Sequence, residues 1–391
     1  MDIEIVTTRF KDKQIEELPS PCFLIDLNKV KKNCETHLSN AEQFQVKLRP
    51  HMKTHKTIKL GALQTGNTKK SIVVSSLAEA RHYSSHGFSD ILYGVPLGVD
   101  KVDYVYELNR LFPDADISVM VDNQEIVEKI VEKAEFLKEK PFGAFLKVNC
   151  DNGRAGVWWN CEESIKLAQN LSNSNVPLKG IYAHCGNTYS SNGDVSKIKS
   201  IANLTAERIL EFREKSGLNH IPVGIGSTPT CSVACDVSDP ELTNLTKLDE
   251  FHPGNYVLYD LMQVSIGSCT EEEVAGIVLC RVLSIQKDES VIVDCGFTGI
   301  SKQGVGSDNY DKLNPVRRLV NGKFEKLDIR IEGLSQEHGR LVGEGCKGLA
   351  IGDILGVLPW HSCAVGALHP WFYLVEDGKC VDVLVPVRGW M

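Results

Sequence analysis

The sequence predicts an α/β protein: a (β/α)8 barrel followed by a C-terminal, mainly-β domain. Three observations lead there. Short apolar runs alternate with amphipathic stretches eight times over roughly 230 residues, the length and order of a closed barrel of parallel strands. No GxGxxG follows the first run, which leaves the open doubly wound sheet as the weaker alternative. Beyond residue 266 helical periodicity fades, and about 120 residues of β-like segments follow, separated by Gly, Asp, Asn and Pro.

In chain order, Cys22–Asp26 is the first strand-like segment and is available to the β domain. The expected barrel strands are Gln45–Arg49, Ser71–Ser75, Asp90–Gly94, Ile117–Val121, Gly143–Val148, Lys179–His184, Val223–Gly226 and Leu248–Phe251. Helices are expected between them. Lys56–Thr65 follows the first strand. Ser76–His86 opens on Ser76, with Glu79 completing a capping-box pattern. Asn123–Lys138 opens on Asn123 as N-cap. Glu162–Asn173 and Val195–Ser216 carry apolar residues at helical spacing. The later β segments are Val274–Ile285, Ser290–Asp294, Asp328–Ile331, Asp353–Leu358 and Val381–Val387. The expected domains are a barrel over 27–265 and a β domain over 266–391, joined by residues 1–26.

Hydrophobic residues make up 42% of the chain and charged residues 24%, ordinary for a globular protein. The net charge of −8 argues against nucleic acid or an anionic membrane as partner. The first twenty residues are too charged for a secretory signal, and no run of 18 apolar residues suggests a membrane span. The 13 cysteines include no CxxC pair, which fits a reducing, cytoplasmic setting. Most read as small buried hydrophobes.

In a barrel, chemistry belongs at the C-terminal strand ends. The first strand ends in Arg49–Lys56, which places Lys53 beside His51 and His55. The seventh and eighth end in Gly224–Thr230 and His252–Tyr256, where barrels commonly bind phosphate. Glycine lets the backbone approach the ligand, while free N–H groups and hydroxyls donate to phosphate oxygens. Gly226, Ser227, Thr228, Gly254, Asn255 and Tyr256 supply both. Singly, each segment is a turn far more often than a ligand site. Together, at the two expected loops and with a lysine opposite, they suit pyridoxal phosphate, which needs an amine and a phosphate cup.

His361 and Cys363 form a second constellation. In an extended segment residues two apart share a face, so an imidazole and a thiolate could meet one zinc ion. Alone, that spacing is a weak signal.

The order of motifs resembles the fold-type III pyridoxal-phosphate enzymes, and among them the eukaryotic D-serine dehydratase group, relatives of the D-threonine aldolases. The segments that carry this are Pro19–Asp26, Arg49–Lys56, Gly153–Gly156, Tyr182–Gly186, Gly224–Thr230, Pro253–Tyr256, Glu337–Gly339, His361–Cys363 and Val387–Trp390. The resemblance implies that Lys53 is the Schiff-base lysine. It places Arg154 near the pyridine ring, Tyr182 and His184 along it, and Tyr189 within reach. It makes the two glycine loops the phosphate cup and assigns Zn2+ to His361 and Cys363. It implies a homodimer acting on a small D-amino acid, and elimination of the β-hydroxyl of D-serine to pyruvate and ammonia. Cleavage of D-threonine and dehydration of D-threo-3-hydroxyaspartate are the alternatives on this scaffold. A non-enzymatic pyridoxal-phosphate-binding protein is disfavoured, because such relatives lack the β domain. Three departures from the family pattern involve four residues: Asn149 with Asp151, Gln336, and Trp360 beside the metal pair.

Overall fold

The computed structural model describes residues 3–391. The described residues divide into two compact units, one of residues 34–254 with 387–391, the other of residues 3–33 with 255–386.

The first unit is the barrel. Its strands are β1 (Lys47–Leu48), β2 (Lys70–Val74), β3 (Ser89–Pro96), β4 (Ile117–Val121), β5 (Ala144–Asn149), β6 (Leu178–His184), β7 (Val223–Gly226) and β8 (Glu250–Phe251). All pair in parallel, in the order β1-β8-β7-β6-β5-β4-β3-β2. One bridge, His51 to Val73, brings the last strand back to the first, with Val73 N–H donating to the Pro50 carbonyl at 2.9 Å. Strands covered on both faces read as continuous apolar runs. Accordingly β4 and β5 are buried at every residue, although β5 contains Lys147.

Helices Ile58–Gln64, Leu77–Ser84, Gln124–Leu137, Glu162–Asn173 and Val195–Lys215 match the expected ones within a few residues. Asn123 caps its helix by accepting from Ile126 N–H at 3.0 Å. Ser76 accepts from Glu79 N–H, but Glu79 reaches back to Ser75 N–H rather than to that of Ser76. The longest helices that the sequence reading does not include are Leu27–Gln43 and Val102–Leu111. Residues 387–391 pack within the barrel unit. Val387 N–H donates to the Lys56 carbonyl, and Leu77 N–H to that of Trp390.

The second unit is built on a sheet whose main path runs Lys323–Lys326, Val316–Val320, Ile354–Val357, Gly276–Ile285, Cys22–Asp26, Phe372–Glu376, Lys379–Leu384. Cys22–Asp26 is therefore a central strand, antiparallel to Gly276–Ile285 and parallel to Phe372–Glu376. Its core gathers Val6, Ile15, Leu18, Leu24, Leu279, Tyr373 and Val383. Among the described residues no helix is long and apolar enough to cross a membrane.

The segment carrying His361 and Cys363 corrects the sequence reading. It is not an extended strand. His361 is extended but serves as N-cap, and Ser362–Leu368 is helical, which puts Cys363 in a first turn. Three residues carry no periodicity. The helix formers Ala364, Ala367 and Leu368 downstream, and a cap supplied from elsewhere in the chain, decide the conformation.

Candidate active site

The barrel's C-terminal mouth begins at Lys53. It sits in a short 3-10 turn, Met52–Thr54, whose N-cap is His51; Lys53 N–H donates to His51 Nδ1 at 3.3 Å. The Lys53 side chain is exposed and makes no hydrogen bond or ion pair among the described residues. Around it the fold gathers other basic groups. Burial, and then the charges of Arg154, Lys147 and Lys53, push the His184 imidazole well below its ordinary pKa. Burial, Lys53 and His184 do the same to His51. Both rings are therefore neutral near pH 7.

Lys147 was not anticipated. It stands on β5 directly across from Tyr182 on β6. Its ammonium lies 4.8 Å from the Tyr182 ring centroid. Burial first, and then the Arg154 charge, lower its pKa to about 8. The Tyr182 hydroxyl lies 3.3 Å from His184 Nδ1. The other face of Tyr182 is covered by His252, stacked at 4.6 Å and 12°. His252 Nε2 donates to Glu250 at 2.8 Å, and Glu250 takes two more hydrogen bonds from Arg49, at 2.8 and 2.9 Å. Arg49 also binds Asp90 at 2.8 and 3.0 Å. Burial alone would raise the pKa of Glu250. The hydrogen bonds from His252 and Arg49 outweigh it and hold the carboxyl well below the usual range. Tyr182 is thus fixed from one side by a buried ionic chain and faced on the other by a cation. Tyr189 lies in the 3-10 turn Gly186–Ser190 and is half-buried.

The glycine loops form a cradle. Gly226 ends β7, and Ser227 caps the helix Thr228–Ser232 by accepting from Thr230 N–H. Thr188 and Ser227 hydroxyls lie 3.0 Å apart, and Gly254 N–H donates to Thr228 Oγ1 at 3.4 Å. A Cβ at Gly254 would lie 2.8 Å from the Cβ of His51, and one at Gly226 would meet the His252 carbonyl. Only glycine lets these backbones approach so closely. Asn255 and Tyr256 follow in a buried 3-10 turn, Asn255–Val257. Tyr256 is fully buried, and the amide of Asn255 is committed to Asp260 at 2.7 Å. Three cations, Lys53, Lys147 and Arg154, with no carboxylate ion pair among the described residues, face anionic chemistry. Together with the cradle they fit a flat, phosphate-bearing aldehyde such as pyridoxal phosphate.

In the β unit, His361 Nδ1 lies 3.1 Å from Gln303 Oε1. With the Gln303 carbonyl oxygen accepting, Nδ1 carries the proton and Nε2 is the nitrogen that bears a lone pair. Cys363 Sγ lies 3.7 Å from Asn255 Nδ2. Trp360 packs edge-on against Tyr310. One nitrogen and one sulfur donor suit zinc. Among the described residues no three His, Cys, Asp or Glu are gathered, so water or substrate would complete such a shell.

Comparison with known proteins agrees with this architecture. Residues 25–238 match the family described as "Alanine racemase, N-terminal domain", and residues 275–375 match "Putative serine dehydratase domain". The chain is 30% identical to D-serine dehydratase of Dictyostelium discoideum, over 96% of this chain and 98% of that one. The chain belongs to the D-serine dehydratase family. It is 28% identical to the Schizosaccharomyces pombe D-serine dehydratase, over 99% of this chain and 96% of that relative. Among solved structures, D-threo-3-hydroxyaspartate dehydratase from Delftia sp. HT23 superimposes with a TM-score of 0.86 at 25% identity, covering 97% of this chain and all of that one. The family fold is the expected pairing of an alanine-racemase-like barrel with a mainly-β unit.

Proposed function

We propose that this protein is a pyridoxal-phosphate-dependent D-serine dehydratase that converts D-serine to pyruvate and ammonia, assisted by zinc at His361 and Cys363. The observation that carries the reading is the cluster of Lys53, Lys147 and Arg154 beside two neutral imidazoles and a glycine cradle. When bound, pyridoxal phosphate supplies an electron sink for the α-carbon, and zinc supplies a Lewis acid for the departing hydroxyl. Lys53 would hold the cofactor through its amine, and that amine is the group placed to take the α-proton. Arg154 and Lys147 set a positive field that orients anionic oxygens. Neutral Tyr182 and His184 hold the ring plane without adding charge to it. Gly226, Ser227, Thr228 and Gly254 receive the phosphate. The balance closes: water leaves with the β-hydroxyl, and water returns when the imine of pyruvate hydrolyses to ketone and ammonia.

The metal assignment draws support from the Delftia relative, for which alanine variants of a histidine and of a cysteine two positions further on are known, the latter in a metal-free form. The spacing is that of His361 and Cys363. One observation favours a second reading, dehydration of D-threo-3-hydroxyaspartate. Lys147 and Arg154 offer more positive charge than a single substrate carboxylate needs. Pyruvate release from D-serine and oxaloacetate release from the aspartate analogue, measured side by side, separate the two. For the first reading, a chelator should stop pyruvate release while the cofactor absorbance stays, and Lys53→Ala should remove the band of lysine-bound cofactor. A chelator-resistant enzyme overturns the zinc role.

A further inference from the structure

The turn that presents His361 and Cys363 is held by groups outside it. The His361 side chain makes no capping hydrogen bond to its own helix. The cap comes instead from Asp260, which is fully buried and accepts from Ser362 N–H at 2.9 Å. The same carboxylate accepts from Gln263 N–H at 3.0 Å, capping Leu261–Ile266, and from Asn255 Nδ2 at 2.7 Å. Backbone bonds reinforce the junction. Leu261 N–H donates to the Pro359 carbonyl, Met262 N–H to that of Trp360, and the Ser362 hydroxyl to that of Tyr259. One carboxylate thus anchors the first turns of two helices and the amide that points to sulfur.

Asn255 is 5% exposed, and its Nδ2 bears two hydrogens. One goes to Asp260; the other is within reach of Cys363 Sγ at 3.7 Å. We propose that Asp260 and Asn255 are the positioning residues of the metal site. Asp260 fixes the turn that carries both donors, and Asn255 donates an N–H to the Cys363 sulfur and aims its remaining lone pairs at the ion. The proposal rests on the zinc reading above. It also gives the Asn255 side chain a task different from phosphate binding, for which its backbone N–H would serve. Outer-shell partners of this kind set ligand orientation, and their loss typically costs about 10–100-fold in metal affinity.

The test compares the wild-type holoenzyme with Asn255→Ala, Asn255→Ser and Asp260→Asn. Zinc affinity is read by chelator competition, and the Cys363–metal bond by the thiolate-to-cobalt charge-transfer band after Co2+ substitution. Circular dichroism and the cofactor absorbance report that both units are intact. Asn255→Ala should lose about 10–100-fold in zinc affinity and shift the cobalt band, with the fold unchanged. Asn255→Ser, which keeps a donor, should recover part of both. Asp260→Asn should lose at least as much; if it fails to fold, the two Asn255 variants still decide. Wild-type affinity and an unshifted band in Asn255→Ala overturn the proposal alone. A wild-type protein with no thiolate–cobalt band overturns the zinc reading and the proposal with it.

Discussion

Glu250→Ala should be among the most damaging single changes in the barrel unit. The side chain is 8% exposed and carries three hydrogen bonds, two from Arg49 and one from His252. Removal strands Arg49, itself 3% exposed, with Asp90 as its remaining carboxylate. Breaking a buried pair by deleting one partner costs about 3–5 kcal/mol, and Asp90 keeps the expected loss near the lower end. A domain of this size loses about 2–4 °C per kcal/mol, so Tm should fall by roughly 6–12 °C. The loss has a pH signature. The folded carboxyl titrates well below its ordinary value of 4.5, so its stabilisation is present above that value and drains as pH falls through it. The gap between wild type and variant should therefore narrow below about pH 4.5. Glu250→Leu combined with Arg49→Met should be milder than Glu250→Ala, because no unpaired buried charge is left and Asp90 keeps Lys47 and Ser71. Calorimetry and circular dichroism read all three proteins. A fall of less than about 2 °C for Glu250→Ala would refute the view that this chain is a structural keystone.

Two further outcomes follow. Lys147 has a folded pKa of about 8 against an ordinary 10.5, so in the cofactor-free protein stability should rise from pH 8 to 10.5, where the unfolded chain holds more protons. Lys147→Met should abolish that rise in urea titrations and stabilise the cofactor-free form at pH 7 by up to about 3 kcal/mol; equal slopes for both proteins would sink the assignment. Gly226→Ala would drive a methyl into the His252 carbonyl, at a cost of about 1–3 kcal/mol and most of the affinity for pyridoxal phosphate, read by absorbance titration.

Much of the barrel was legible because its strands are buried on both sides and spell unbroken apolar runs; Ile117–Val121 was read to the residue. Helix Leu27–Gln43 was not. Its inward face runs Leu27, Val30, Cys34 and Ala41, but Asn33 and His37 occupy buried positions that the pattern expects to be apolar. In the site, Lys53 and the glycine loops announced themselves by position. Lys147 carried a usable signal, a lysine in the middle of an otherwise apolar strand. Glu250 and His252 carried a fainter one, two polar residues at strand alternation on and just past the last barrel strand. Their link to Arg49 joins residues some two hundred positions apart, which no local pattern reveals. The His361–Cys363 turn was misread for the same reason, since its cap, Asp260, stands about a hundred residues upstream.

The interleaving of the two units bears on how the chain is made. Cys22–Asp26 leaves the ribosome early, yet both its sheet neighbours, Gly276–Ile285 and Phe372–Glu376, come far later. At about 5–20 residues per second, an apolar strand with two open edges waits tens of seconds for its partners. The barrel, for its part, receives Val387–Met391 only after the whole β unit has been synthesised. The β unit cannot close as an independent bead in chain order, and the nascent chain must keep Cys-Phe-Leu-Ile of that strand out of intermolecular pairing until Phe372–Glu376 arrives.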